Sequence, residues 1–254
     1  MFPQPALLLR RKALLYYTDN AMQEKDPIQN PAERLKTAAT GLMSNIKTQI
    51  VGEAGEQPTA QYVDTPTLNA ITNNWPAMSK KSVEQMVQKY GPPNEAIPSR
   101  LIWYNNGSWK RTIVYRDEIP HNFPQPHSDT LEQVIDYQVP VEMFTELAKF
   151  DGSVIVERTK GGVSARCDME AANILALNLM HEIVTGKLTA EQAREKYAEE
   201  TAAFVMNRPA PYAEKLQFEL PKGNTKDTDQ VTIADNMLNQ IKEKFKDATG
   251  MNEA

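Results

Sequence analysis

The chain of 254 residues has one cysteine, three histidines and 7% aromatic residues. A single cysteine, Cys167, excludes an intrachain disulfide, a four-cysteine zinc site and a paired-thiol redox motif. No stretch approaches the roughly 20 apolar residues of a membrane-spanning helix, so no transmembrane span is expected. A phosphate loop with its lysine, a Gly-x-Gly-x-x-Gly turn and a Gly-x-Ser-x-Gly elbow are all missing, and Gly161-Gly162 reads as an ordinary turn. Basic excess is missing too. The 28 lysines and arginines face 33 acids, for a net charge of −5, and that argues against a general nucleic-acid binder. No motif fixes a reaction.

What is present is an ordinary globular composition, 41% hydrophobic and 24% charged. Near the N-terminus, Arg10-Arg11-Lys12 divides the apolar runs Ala6–Leu9 and Ala13–Tyr17. A secretory signal carries its charges ahead of one longer apolar core, so this segment reads as a docking arm. Alternatives are a membrane-surface contact of residues 6–17 or a processed targeting segment. Leu35, Ala39, Leu42, Met43, Ile46 and Ile50 then recur at helical spacing, with Gly52 and Gly55 after them. A polar stretch follows as linker.

Three regions are expected: an arm, helix and linker over 1–70, a core domain over 71–208, and a tail over 209–254. The core reads as α+β, a mainly antiparallel sheet from two helix-plus-hairpin units with helices packed on one face. In the first unit Ser79 caps a helix through Val83, Met86, Val87 and Tyr90, stopped by Gly91. Strands Arg100–Tyr104 and Ser108–Arg116 then turn at Asn105-Asn106-Gly107, and a third strand is expected at Leu131–Tyr137. In the second unit Pro140 opens a short helix ended by Asp151-Gly152. Strands Val154–Thr159 and Val163–Cys167 follow. Two helices close the core, one capped by Asp168 and one opened by the Thr189/Gln192 capping box. In the tail, Ile233, Met237, Ile241 and Phe245 form a narrow apolar stripe that must dock on this chain or on another subunit.

The chemistry-bearing groups gather after the first hairpin. His121 and His127 lie six residues apart, with Asp117 and Glu118 before them and Pro120, Pro124 and Pro126 among them. Imidazole and carboxylate together suit a divalent metal such as zinc, although the spacing is not the i, i+4 of helical zinc sites. The plainer expectation is that both histidines cap loop carbonyls. By period two, Trp109, Arg111, Ile113 and Tyr115 share one strand face. An arginine between aromatic residues there can meet a ligand or partner, and Trp109, Arg111, Arg116 and Phe123 form the candidate recognition set. Cys167 reads as a buried, inert thiol, because the nearest downstream histidine, His181, is more than three helical turns away.

Trp109-Lys110-Arg111, the Tyr115–His127 stretch, Asp151-Gly152-Ser153-Val154 and Ser164-Ala165-Arg166-Cys167-Asp168 together resemble a group of uncharacterised, commonly exported bacterial proteins over about residues 75–206. That resemblance implies a domain of unknown function and a periplasmic or otherwise extracytoplasmic setting. The absent signal pattern, taken at face value, implies a cytoplasmic one. Tyr90-Gly91-Pro92-Pro93 before a hairpin is also similar to small periplasmic protein-binding domains of the outer-membrane assembly lipoprotein and β-lactamase-inhibitor type. The leading expectation is therefore a non-catalytic binding or structural subunit that meets other protein subunits through its terminal arms and needs no cofactor. The alternative is a metal-binding protein or metal-dependent enzyme using the His121/His127 loop.

Overall fold

The computed structural model describes residues 30–51 and 55–249, so the segment 6–17 and Gly52 lie outside the described residues. The described residues divide into two compact units, a larger one of Gln57–Asp229 and a smaller one of those before Gln57 and after Asp229. The expected boundaries at 70 and 208 both fall inside the larger unit. In chain order the first elements are α1 (Pro31–Val51), α2 (Thr65–Thr72) and α3 (Ala77–Tyr90). Four strands follow: β1 (Glu95–Ile97), β2 (Arg100–Asn106), β3 (Trp109–His121) and β4 (His127–Asp136). A 3-10 turn at Val141–Met143 leads into α4 (Phe144–Phe150), β5 (Val154–Glu157) and β6 (Gly162–Cys167). The last helices are α5 (Glu170–Val184), α6 (Ala190–Val205), α7 (Pro211–Glu214) and α8 (Asp235–Thr249).

In the smaller unit Asn30 caps α1 by accepting from the Ala32 backbone N–H. Helices α1 and α8 lie against each other, so the tail helix docks on its own chain, and Ala39 is buried. The side chain of Phe245, the last member of the expected stripe, lies outside the described residues.

In the larger unit six strands form one antiparallel sheet in the order β1-β2-β3-β4-β6-β5. The two hairpin units thus join edge to edge through β4 and β6. The first hairpin turns with positive φ at Asn105 and Gly107, the conformation for which asparagine and glycine carry the least strain. Alternation along β4 directs Leu131 and Ile135 to the helical face, where Val163 and Ala165 of β6 join them. Helix α3 covers the first hairpin over Leu101, Trp103, Val114 and Leu131. Helix α5 covers the second over Ile135, Val163 and Ala165. It is buried nearly all round, by the sheet below and by α4, α6 and α7, so Ile174, Leu177 and Met180 are buried along with Leu175, Leu179 and Ile183.

Several local expectations need correction. Helix α3 starts at Ala77, after Pro76, so Ser79 lies inside its first turn and is not its cap. Ser79 is fully buried and its hydroxyl donates to the Arg116 carbonyl. The free N–H groups of Met78 and Ser79 donate instead to the Glu118 carboxylate, which reaches them from β3. Helix α5 starts at Glu170, after Met169, and Asp168 makes no cap. The Thr189/Gln192 capping box is present as expected. The connection after the first hairpin is mostly strand: β3 runs to His121 and β4 begins at His127. Beyond Tyr115 no β2 residue pairs with β3, so Pro120 sits on an edge where its missing N–H costs nothing.

On the sheet face opposite the helices, the buried Glu132 carboxylate accepts from Tyr115 Oη (2.6 Å), Ser164 Oγ (2.7 Å) and Arg166 Nη2 (2.8 Å). Burial works against its charge. The Tyr115, Arg166 and Ser164 donors outweigh burial and hold the carboxyl below its usual range. Burial, then Glu132, pushes the Tyr115 phenol up to about 12. A carboxyl with a depressed folded pKa contributes stability above its unfolded value of about 4.3, and that contribution is lost as pH falls through the folded value. Glu132→Gln is therefore expected to flatten the acid limb of thermal stability below about pH 4.3 and to lower the melting temperature at neutral pH. Melting curves across that range check both.

Candidate metal centre

The site forms at the tip of the β3–β4 hairpin. His121 pairs directly across from His127, and Asp129 stands two residues along β4 on the same face. A large bulge sets this register. Between the pairs Val114–Leu131 and Ile119–Asp129, the four residues Tyr115 to Glu118 face the single residue Thr130. The bulge turns Asp117 and Glu118 away from the histidines. Asp117 pairs with the adjacent Arg116 at 2.7 Å in solvent, and Glu118 caps α3. The carboxylate that meets the histidines is Asp129.

His127 Nε2 lies 3.2 Å from Asp129 Oδ1, and His121 Nδ1 lies 3.5 Å from the same oxygen. All three atoms fall within 4.8 Å of one another. The side chains of His127 and Asp129 are 6% and 5% exposed, and that of His121 is 20% exposed. Each of the three atoms is buried, and none has a hydrogen-bond partner among the described residues. Buried polar atoms without partners are uncommon and call for an explanation. Two ligand atoms about 2.1 Å from a tetrahedral metal stand roughly 3.4 Å apart. The observed spacings match that arrangement better than an aligned, charge-assisted hydrogen bond of about 2.8 Å.

The surroundings orient these groups. His127 Nδ1 is 2.8 Å from the Gln125 carbonyl, which keeps a proton on Nδ1 and leaves Nε2 as the nitrogen turned to Asp129. The expectation that a histidine caps a loop carbonyl thus holds for this nitrogen. His121 Nε2 lies 3.8 Å from Asp151 Oδ1, leaving Nδ1 for the centre. Asp151 is fixed by the Ser153 backbone N–H (2.8 Å), and the Ser153 hydroxyl donates to Asp129 Oδ2. Burial pushes the Asp151 carboxyl up. Burial opposes charge on His127 as well, but Asp129 and then Cys167 outweigh it, and its pKa is pushed up to about 11. Burial also acts to raise the Asp129 carboxyl, and His127, Ser153 and His121 more than offset it, so its pKa is lowered. His127 and Asp129 therefore hold each other charged as a pair, and a metal bound here would take the place of the His127 Nε2 proton.

Cys167, at the end of β6, is buried as expected, and burial pushes its thiol up. Its histidine neighbour is His127, not His181. His181 stacks on Phe218 and meets the Tyr137 hydroxyl at 2.9 Å, a packing role.

The four candidate recognition residues are not brought together. Trp109, next to the turn, leaves the face of Arg111: its indole packs in the larger core and donates to Glu170 at 2.6 Å. Arg111 lies 3.9 Å from Glu157 on β5, and Arg116 pairs with Asp117. Phe123 packs against Phe150 and Tyr197 beneath the Arg194 guanidinium, 3.7 Å from its ring centroid. Asp129 is the site residue the sequence hides. The pattern His127-x-Asp129 signals a shared face only once β4 is known to begin at His127.

No protein-family model, curated protein or solved structure matches this chain. No helix among the described residues is long and apolar enough to cross a membrane.

Proposed function

We propose that this protein binds a divalent first-row transition metal, zinc foremost, through His121 Nδ1, His127 Nε2 and Asp129 Oδ1. One observation carries the reading: three buried ligand atoms converge at metal-ligand spacing without hydrogen bonds of their own among the described residues. Two imidazoles and one carboxylate suit zinc, iron(II) or manganese. Three protein ligands leave one tetrahedral position for water or substrate, the arrangement by which a metal acidifies water or polarises a carbonyl. The Gln125 carbonyl is the outer group that fixes the His127 ring, and Asp151 stands 3.8 Å behind His121 Nε2.

The test is elemental analysis of protein purified from zinc- and iron-supplemented cultures. One metal per chain is expected in the wild type and none in the variant carrying His121→Ala and His127→Ala. Equal content in both would sink the proposal.

A second reading, the protein-binding subunit, rests on the terminal helices. Met43 and Ile50 of α1 and Met237 of α8 remain 59%, 79% and 57% exposed although the two helices lie together. Native mass measurement on material from its source tests it. A bound protein partner is expected, and a clean monomer overturns it.

A further inference from the structure

The two carboxylate oxygens of Asp129 have different neighbours. Oδ1 is the buried atom 3.2 Å from His127 Nε2 and 3.5 Å from His121 Nδ1. Oδ2 accepts a hydrogen bond from the Ser153 hydroxyl. Ser153 is itself held on both sides. Its backbone N–H donates to Asp151 Oδ1 at 2.8 Å, and its carbonyl accepts from the Arg166 backbone N–H at 3.1 Å, one step past the Val154–Ala165 pair of the β5–β6 ladder. Asp129 is held by the β3–β4 ladder opposite Ile119. Backbone hydrogen bonds thus set both partners of the Ser153–Asp129 contact. A carboxylate binds a metal through one oxygen or through both. Turning Asp129 to offer both would take Oδ2 from its donor and leave the Ser153 hydroxyl unmatched, and breaking one side of such a contact is costly in a buried place. The number of ligating oxygens bears on the choice of metal. Zinc is satisfied by four ligands, whereas manganese(II) takes a larger, oxygen-rich shell.

We infer that Ser153 is a positioning residue that holds Asp129 to one ligating oxygen, Oδ1, and so favours four-coordinate zinc over manganese(II) at this centre. The inference rests on the metal reading above and adds which oxygen binds and what keeps the other away. Zinc stands above manganese(II) at nitrogen and oxygen sites in general, so the mark of Ser153 is a change in the ratio of the two affinities.

The experiment dialyses the full chain to equilibrium against buffered zinc and against manganese(II), as wild type, Ser153→Ala and Ser153→Thr, with metal content read by elemental analysis. Ser153→Ala frees Oδ2. Zinc affinity is expected to fall about tenfold, the loss typical of an outer-sphere partner, while manganese(II) affinity holds or rises. The manganese-to-zinc ratio of dissociation constants then shrinks by about tenfold or more. Ser153→Thr keeps the hydroxyl and should keep the wild-type ratio. An equal loss of both metals in Ser153→Ala marks a merely structural contact and overturns the inference, as does a Ser153→Thr ratio that matches Ser153→Ala. Infrared difference spectra of the wild type, zinc-loaded minus metal-free, read the carboxylate without relying on a variant that folds. A widely split pair of carboxylate stretching bands, the sign of ligation through one oxygen, is expected. A narrow splitting, the sign of ligation through both, overturns the inference and leaves the metal reading in place. A wild type that binds neither metal overturns both.

Discussion

Asp129→Asn is expected to lower metal affinity by about a hundredfold or more, a loss at least as large as that for an outer-sphere partner, because it removes the one anionic ligand. The change keeps the shape of the side chain and its contact with Ser153, so folding is not what fails. It removes the charge that His121 Nδ1 and His127 Nε2 share at 3.5 and 3.2 Å. Two comparisons make the result specific. Asp117→Asn alters an acid that pairs with Arg116 in solvent, and Glu118→Gln alters an acid that caps α3. Neither should change affinity, although both acids stand nearer to His121 in sequence than Asp129 does. Calorimetric titration of zinc into the three variants gives the ranking. An Asp129→Asn affinity equal to wild type would remove the carboxylate from the site.

Gly161→Ala should be the most destabilising single methyl addition at a described glycine of the larger unit. Gly161 has φ +66, and a Cβ there would lie 2.2 Å from the Thr225 carbonyl carbon and 2.5 Å from Lys226 N. These are backbone atoms, so no side-chain rotation relieves the clash. The contact is held closed: Thr225 Oγ1 donates to the Gly161 carbonyl at 2.7 Å, and Arg158 pairs with Asp227 at 2.7 Å. Left-handed strain and overpacking together cost about 3 kcal/mol or more. At this unit's size that lowers the melting temperature by roughly 10 °C. Gly152→Ala, where nothing lies within 4 Å of the added carbon, should melt near the wild type. Equal melting of the two variants would contradict the close packing of residues 225 and 226 on the β5–β6 turn.

The α+β class was legible because the two hairpins carry local turn chemistry, Asn105 to Gly107 and Gly161-Gly162, and because α6 has its capping box in plain view. The candidate site was half legible. Two histidines near three prolines mark a place, and the structure puts both in one cluster. Their partner was not legible, because acids adjacent in sequence look closer than acids adjacent in space. The bulge opposite Thr130 decides the matter by rotating Asp117 and Glu118 outward, and no local residue preference announces it. For the same reason Trp109 could not be separated from Arg111 by period two alone. It depends on where the strand begins to follow the sheet, and its indole finds Glu170, 61 residues away.

X-ray absorption at the zinc edge of the loaded protein tests the central claim most directly. Ligation by His121, His127 and Asp129 predicts a shell of nitrogen and oxygen at about 2.0–2.1 Å, with the outer-shell scattering of two imidazoles and no sulfur. A sulfur contribution at about 2.3 Å would make Cys167 a ligand and contradict the assignment, as would a spectrum with fewer than two imidazoles.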